Sequence, residues 1–242
     1  MSLFQESVPI TGAVERRVLR DRVYDVILDR LMNGEVQPGV RLGIDILAKE
    51  LDVSPTPVRE ALVQLERTGL VSREARRGYR VAAPLSVAQT AELFDARIVI
   101  ETGAAALAAP RAGELLPRLV EAEERHHRTA DAVLELDDDD PRMAARLSEY
   151  FDADWRFHQA IFDRCENTHL QQMAESLGTH MHRRRQSSMG RTNDVAFAVA
   201  EHDAIVDAFR VGEVAGIVDA MRSHVSNVKA RAIESARAAE AG

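Results

Sequence analysis

The sequence predicts a mostly α-helical protein with an N-terminal winged helix-turn-helix and a C-terminal all-α antiparallel helical bundle. Helical periodicity dominates the 242 residues, one hairpin pattern interrupts it, and a short linker containing proline follows that hairpin. Six or so helices are expected after the linker, which is typical of a bundle. The predicted organisation is a flexible tail over 1–14, the winged unit over 15–83, the helical domain over 86–232 and a flexible tail over 233–242.

The N-terminal unit contains signals for three helices. The first helix is expected over about 16–32 and a shorter one over about 45–51. The third has the clearest limits. Ser54 is a good N-cap, and Pro55 falls in the first turn, where a missing N–H leaves no hydrogen bond unmade. Gly69 suits the C′ position that ends the helix.

A helix that reads DNA exposes polar side chains near its N-terminus and buries its opposite face. In the third helix Arg59 is placed for a bidentate contact to guanine, and Thr56 for a contact to phosphate. Two strands, predicted over 71–75 and 79–83, are joined by a basic turn that can enter the minor groove or contact phosphate. The residues predicted to contact DNA are Ser54, Thr56, Arg59, Gln64, Arg76, Arg77 and Gly78.

Charge is unevenly distributed along the chain. The overall net charge of −8 argues against binding to nucleic acid. Residues 16–82, however, contain 13 Arg and Lys against 10 Asp and Glu, a net charge of +3, and the remainder carries −11. This asymmetry is typical of a DNA-binding module joined to an acidic domain.

Composition also limits the compartment. The sequence has no apolar run of the roughly 18 residues that a membrane span needs, and its first fifteen residues lack a signal-peptide pattern. Cys165 is the only cysteine, so neither an internal disulfide nor a cysteine-based zinc cluster can form. We therefore expect a cytoplasmic protein that does not associate with a membrane.

Many fixed spacings over residues 16–82 agree with one known pattern. They include 23–24, 38–39, 47–48, 53–62, 65–66, 69–71 and 78–81. In these stretches the chain resembles the DNA-binding domain of the GntR family, which implies a DNA-binding transcription regulator. The family usually has an arginine where this chain has Pro55. One common DNA contact is therefore not expected here, and the operator preference is open.

The C-terminal domain places ionisable residues on faces that are otherwise apolar. Asp154 and His158 lie one turn apart on one predicted helix, and His202 and His224 lie on two later helices. Because an unpaired buried polar group is unfavourable, we expect these four side chains to share a partner. Three imidazoles and one carboxylate suit a divalent transition metal. The alternative for any single histidine is a hydrogen-bonded core residue, and His126, His127, His169 and His182 are predicted to lie on the surface.

The C-terminal domain also matches a known pattern. The matching stretches are Leu93, Arg97, Glu101, 103–109, 154–158, 201–205 and 221–224. In them the chain resembles the helical FCD domain of the FadR-like subfamily of the GntR family. The resemblance implies a metal held by Asp154, His158, His202 and His224. Zinc is the first choice, and nickel, manganese and iron are open.

The same resemblance implies that Arg97 binds the carboxylate of an effector. A guanidinium beside a metal suits a small organic acid, because the metal and the arginine can each bind oxygen atoms. His180 and Arg183 belong to a helix that could line the same pocket. The alternative for Arg97 is a surface pair with Glu101 at i, i+4 spacing.

Together these patterns predict a homodimeric repressor that binds a palindromic double-stranded operator and responds to a small carboxylate at a metal site. Two alternatives stay open. The metal could be purely structural, or the chain could be a metal-dependent hydrolase or lyase fused to a DNA-binding module. The enzyme is disfavoured because no further inward Glu or His offers itself as a general base.

Overall fold

The computed structural model describes residues 10–32, 35–67, 69–74, 78–137, 139–174, 177–178 and 194–241. The chain forms two compact units, Met1–Ala83 and Pro84–Gly242. The chain has the predicted mostly α-helical fold class, because it is mainly helical and contains one small antiparallel sheet. In the described part of the chain, no helix is long and apolar enough to span a membrane.

The first unit has the helix and strand order of a winged helix-turn-helix. The elements are α1 (Ile10–Met32), β1 (Arg41–Leu42), α2 (Ile44–Glu50), α3 (Pro55–Arg67), β2 (Val71–Glu74) and β3 (Gly78–Val81). In the sheet, β3 lies between β1 and β2 and is antiparallel to both. The strand β1 has only two residues, too few to show an alternating pattern in the sequence.

The core of the first unit lies under α3. The inward side chains of this helix are Val58, Ala61, Leu62 and Leu65, and all four are fully buried. Removing a side chain such as Leu62 from water contributes about 1.5–3 kcal/mol, so this face holds α3 against its neighbours. Gly69 has a φ of +73°, the left-handed conformation that lets the chain leave α3 and enter β2.

The second unit is a helical bundle. Its elements are α4 (Val87–Ala108), a 3₁₀ turn (Ala109–Arg111), α5 (Ala112–Leu134), α6 (Met143–Arg164), a helical segment over 168–174, α7 (Val195–Val211) and α8 (Val214–Ala241). Helix α4 begins at a capping box, in which the side chains of Ser86 and Gln89 each bond the other residue's backbone N–H. Helix α4 packs mainly on α8, and α5 packs mainly on α6 and α7.

Helices extend into both segments that the sequence predicts as tails. Helix α1 begins at Ile10, although the sequence predicts its start near residue 16 and a loose tail up to 14. Helix α8 continues to Ala241, although a flexible tail is predicted from 233. Apolar periodicity marks only the buried part of a helix, so extensions beyond it are missed. In α8 the extension is rich in alanine, the best helix former.

Candidate functional site

The second unit brings the four predicted metal ligands together. Helix α6 carries Asp154 and His158, α7 carries His202, and α8 carries His224. One ring nitrogen from each histidine lies within 4.8 Å of the other two. The Nε2 atom of His202 lies 3.3 Å from Nε2 of His224 and 3.7 Å from Oδ1 of Asp154. The three histidines therefore meet at one point between three helices, and Asp154 lies beside His202.

The three histidine rings are buried and closely packed. Each is at most 1% exposed. The ring centroids of His158 and His202 lie 5.0 Å apart, those of His158 and His224 5.2 Å, and those of His202 and His224 4.6 Å. Phe157 stacks on His202 with a centroid distance of 4.0 Å and fixes the plane of that imidazole.

A carboxylate from a neighbouring helix lies beside the Nδ1 atom of each of these histidines. Two of the three contacts lack the alignment of a hydrogen bond, whereas the contact to His224 has it. In metal sites such carboxylates orient the imidazole and leave its other nitrogen for the ion. The pairs are Glu101 Oε2 with His158 Nδ1 at 2.8 Å, Glu123 Oε2 with His202 Nδ1 at 3.3 Å and Glu201 Oε2 with His224 Nδ1 at 3.0 Å.

Burial and charge set the protonation of this cluster. Burial, followed by the effect of His224, lowers the pKa of His202 to about 3. Burial also lowers the pKa of His224. Burial alone would raise the pKa of Glu123, but its contacts with His126 and His202 lower it to about 2. At neutral pH the imidazoles of His202 and His224 are thus neutral, and Glu123 is an ionised carboxylate.

Glu101 is likewise held as a carboxylate. Burial alone would raise its pKa, but the guanidinium of Arg97 and the ring of His158 lower it well below its usual range. The Nε atom of Arg97 donates a hydrogen bond of 2.5 Å to Glu101 Oε1, and Arg97 is only 2% exposed. The alternative of an Arg97–Glu101 pair on the surface is therefore wrong. The two side chains do pair, but inside the bundle.

The arrangement fits a divalent transition metal. An ion bound at about 2.1 Å by two ligands separates their donor atoms by about 3.0 Å at a right angle and about 3.4 Å at the tetrahedral angle. The distances of 3.3 Å and 3.7 Å around His202 Nε2 are close to the larger separation. The Nε2 atom of His158 is buried and has no hydrogen-bond partner among the described residues. Neutral nitrogen donors with one carboxylate are ligands of zinc and its neighbours.

Sequence reasoning missed part of this cluster. His126 was expected on the surface, but it is fully buried and lies beside His202, with ring centroids 4.6 Å apart. Glu123 and Glu201 were not singled out. A signal for two of them does exist, because Glu123 and His126 continue a stripe on α5 whose other members are Leu115, Leu119, Ala130 and Val133.

The first unit exposes the predicted DNA-reading residues that the structure describes. Ser54, Thr56, Arg59, Gln64 and Gly78 are all exposed. Gly78 starts β3 with a φ of +86°, a left-handed conformation that favours glycine. The predicted contacts Arg76 and Arg77 lie outside the described residues, as do the predicted effector residues His180 and Arg183.

Comparison with known families assigns both units. Residues 19–81 match the family described as bacterial regulatory proteins, gntR family. Residues 92–227, more than half of the chain, match the FCD domain.

Individual relatives agree with this assignment. The chain is 29% identical over 219 residues to the HTH-type transcriptional regulator LutR of Bacillus subtilis (strain 168), which covers 82% of this chain and 94% of LutR. It is 31% identical over 154 residues to the HTH-type transcriptional repressor GlaR of Escherichia coli (strain K12), which covers 64% of this chain and 66% of GlaR.

A solved structure shares the fold. The E. coli protein McbR/YncC has a TM-score of 0.70 at 22% identity, covering 89% of this chain and 97% of that one. The matched relatives are transcription regulators, which confirms the prediction that this chain is not an enzyme. The chain belongs to the GntR family of bacterial regulatory proteins, with an FCD domain as its second unit.

Proposed function

We propose that this transcription regulator is a repressor whose affinity for its operator is controlled by a small organic acid at a metal site in the FCD domain. The observation that carries the proposal is the meeting of His158, His202 and His224 in one buried cluster, with Asp154 3.7 Å from His202 Nε2. Three of these side chains are imidazoles with a carboxylate at Nδ1. Asp154 and the histidines would hold the cation, with zinc the first choice.

The bound cation would supply a Lewis-acidic position for oxygen ligands of the effector. Four protein ligands leave room for one or two further donors when the ion is five- or six-coordinate. Arg97 belongs to the same buried neighbourhood, since its charge acts on His224 as well as on Glu101. A ligand between the ion and Arg97 would compete with Glu101 for the guanidinium. Only an anion can replace that carboxylate without leaving a buried guanidinium uncompensated, and this supports an acid, rather than a neutral molecule, as the effector.

The first unit would read the operator. On α3 the side chains of Thr56, Arg59 and Gln64 are exposed, and Arg59 has no ion pair among the described residues. Its guanidinium can therefore turn to a guanine edge without first breaking a salt bridge. The predicted wing contacts Arg76 and Arg77 would add contacts to phosphate or the minor groove.

A homodimer would present two such units to a palindromic operator. The exposed face of α4 offers a surface for a second copy of the chain. Val99 is 72% exposed and Leu107 is 44% exposed, and these residues lie two turns apart on one stripe with Gly103 between them. Covering such apolar side chains is favourable, and a small residue between them lets two helices approach closely.

Control of DNA binding requires only modest coupling. An effector that changes operator affinity by 5- to 150-fold supplies about 1–3 kcal/mol of coupling free energy.

The experiment is to measure the metal content of the purified protein, followed by thermal stability and operator binding with a panel of organic acids. We expect a stoichiometric metal in wild type, its loss in His202→Ala, and acid-dependent shifts only in the metal-loaded protein.

Exposed His169 provides the matched control, because His169→Gln changes a histidine outside the cluster and should retain the metal. If His202→Ala keeps a stoichiometric metal, the ligand assignment is wrong. If the metal is present but no acid shifts stability or operator affinity, the metal is structural, and the effector part of the proposal fails.

A further inference from the structure

Glu123 differs from the other two carboxylates that contact the buried histidines. Glu101 is paired with Arg97, and Glu201 accepts two hydrogen bonds from Arg231. In the part of the chain that the structure describes, Glu123 faces only the histidines His126, His127 and His202. Both of its oxygen atoms are buried and have no hydrogen-bond partner among the described residues.

The two oxygen atoms of Glu123 face different neighbours. Oε2 lies 3.3 Å from Nδ1 of His202 and thus faces the buried cluster. Oε1 lies 3.4 Å from Nε2 of His127, and that nitrogen lies 3.0 Å from Oδ1 of Asp203. His127 and Asp203 are 43% and 52% exposed, so this second group opens to solvent. A 93% buried carboxylate without a hydrogen-bond partner therefore points at an exposed imidazole–carboxylate pair.

We propose that Glu123, His127 and Asp203 form a second subsite for a divalent transition metal, distinct from the buried cluster. Glu123 and His127 lie one turn apart on α5, a spacing at which two side chains can reach one ion. Asp203 comes from the facing helix α7. The donor atoms of the three residues lie within 4.8 Å of one another.

The contact of His127 Nε2 with Asp203 Oδ1 is itself a hydrogen bond, whereas the contact with Glu123 Oε1 is not, so an ion accounts for both contacts and hydrogen bonding for only one. The single Nε2 atom of His127 is shared by two carboxylates, and one ring proton cannot satisfy both well. Ligand atoms around an ion lie about 3.0–3.4 Å apart when each bond to the ion is about 2.1 Å long. The separations of 3.0 Å and 3.4 Å at His127 Nε2 fall at these two values. An ion there would also compensate the charge of Glu123.

The chemistry of the subsite limits the ligand. One imidazole and two carboxylates suit Zn²⁺ or Mn²⁺, and exposure leaves the remaining positions to water. With fewer protein ligands and more solvent, the subsite binds more weakly than the buried cluster. Because Glu123 contacts His202 as well, occupancy of the outer position alters the carboxylate that orients a ligand of the inner one.

The test is the metal stoichiometry of the full-length protein. Chelator-treated protein is titrated with Mn²⁺ alone and separately with Zn²⁺ alone, and bound metal is measured after equilibrium dialysis. We expect two equivalents per chain in wild type. His127→Gln and Asp203→Asn should each weaken the second equivalent by about 10- to 100-fold or abolish it. The controls His169→Gln and Asp207→Asn, exposed on the bundle, should bind as wild type does.

The outer subsite and the proposed inner site fail separately. In His224→Gln the inner equivalent should be lost and the outer one retained. If wild type binds one equivalent that is lost in His224→Gln and unchanged in His127→Gln, the outer subsite is refuted. If wild type binds one equivalent that is lost in His127→Gln and unchanged in His224→Gln, the outer subsite stands and the inner metal site is refuted. Binding unchanged in both His127→Gln and Asp203→Asn also overturns the inference.

Discussion

Glu201 on α7 accepts a hydrogen bond of 3.0 Å from Nδ1 of His224 on α8, and this bond links two helices at the candidate metal centre. The same carboxylate accepts two hydrogen bonds from Arg231, which lies about two turns beyond His224 on α8. Burial alone would raise the pKa of Glu201, but its contacts with His224 and Arg231 lower it to about 2. An ionised carboxylate at Nδ1 fixes the proton there and turns Nε2 toward the other ligands.

The first prediction tests this orienting role. Glu201→Gln keeps the shape of the side chain but removes its charge, so the imidazole of His224 loses basicity and a fixed orientation. We expect metal affinity to fall about 10- to 100-fold while the metal ligands stay in place. Metal competition with a chromophoric chelator measures the change. Glu121→Gln, on the exposed side of α5, is the control, and equal affinities in the two variants would contradict the prediction.

The second prediction concerns operator reading. Arg59→Ala removes the guanidinium that is placed for a guanine edge, so binding to the operator should weaken by about 1–3 kcal/mol. Because a base contact carries sequence information, binding to unrelated duplex DNA should change much less. Fluorescence anisotropy with both duplexes at one salt concentration measures the difference. Arg118→Ala, exposed on α5 in the other unit, is the control.

An equal loss of affinity for both duplexes would assign Arg59 to phosphate rather than to a base. Its dependence on salt would then decrease by the equivalent of one phosphate contact.

The site could be predicted from sequence only where a polar residue interrupts an apolar stripe. His202 and His224 stand among apolar neighbours at helical spacing, so their burial was predictable. Glu123 and His126 lie in a stretch of α5 dense in charged residues, which resembles a solvated face. They do continue the apolar stripe of α5, but the charged residues around them obscure it. The packing of α7 against α5 shows that they turn inward toward His202.

The fold was predictable because local sequence signals mark its elements, whereas the long-range contacts of the site have no such signal. The winged unit is marked by short-range signals such as Ser54, Pro55 and Gly69, each of which acts within a few residues. The pairing of Glu123 with His202 joins residues 79 positions apart in the chain. Such a contact depends on how two helices pack, and no local pattern encodes it.

The third prediction concerns the pH dependence of stability in protein kept free of metal by a chelator. The pKa of His202 is about 3 in the folded state, whereas an exposed histidine in the unfolded chain has its ordinary value near 6.5. Between these values the unfolded state binds the extra proton. The free energy of unfolding should therefore fall as pH drops from about 6.5, by about 1.4 kcal/mol per pH unit for each such histidine.

The pKa of His224 is lowered in the same direction, so it adds to this slope. Glu123, with a folded-state pKa of about 2, adds a further loss of stability below its ordinary value near 4.5. Chemical denaturation at a series of pH values measures the effect. His202→Gln cannot be protonated and should flatten the slope between pH 6.5 and 4.5, and an unchanged slope would contradict the prediction.

The fourth prediction tests the proposed dimer surface. Val99 is 72% exposed on α4, so a substitution there does not disturb the core of the bundle. Val99→Asp would place a charge opposite its own copy near a two-fold axis, where desolvation and like-charge repulsion both oppose association. We expect wild type to sediment as a dimer and Val99→Asp to dissociate at least tenfold more readily, with unchanged helical content. Operator binding should weaken in parallel, because one winged unit alone reads only half of a palindrome.

Val211→Asp is the matched control, since Val211 is 74% exposed at the end of α7 and outside the proposed surface. A Val99→Asp protein that remains dimeric would place the interface elsewhere on the chain.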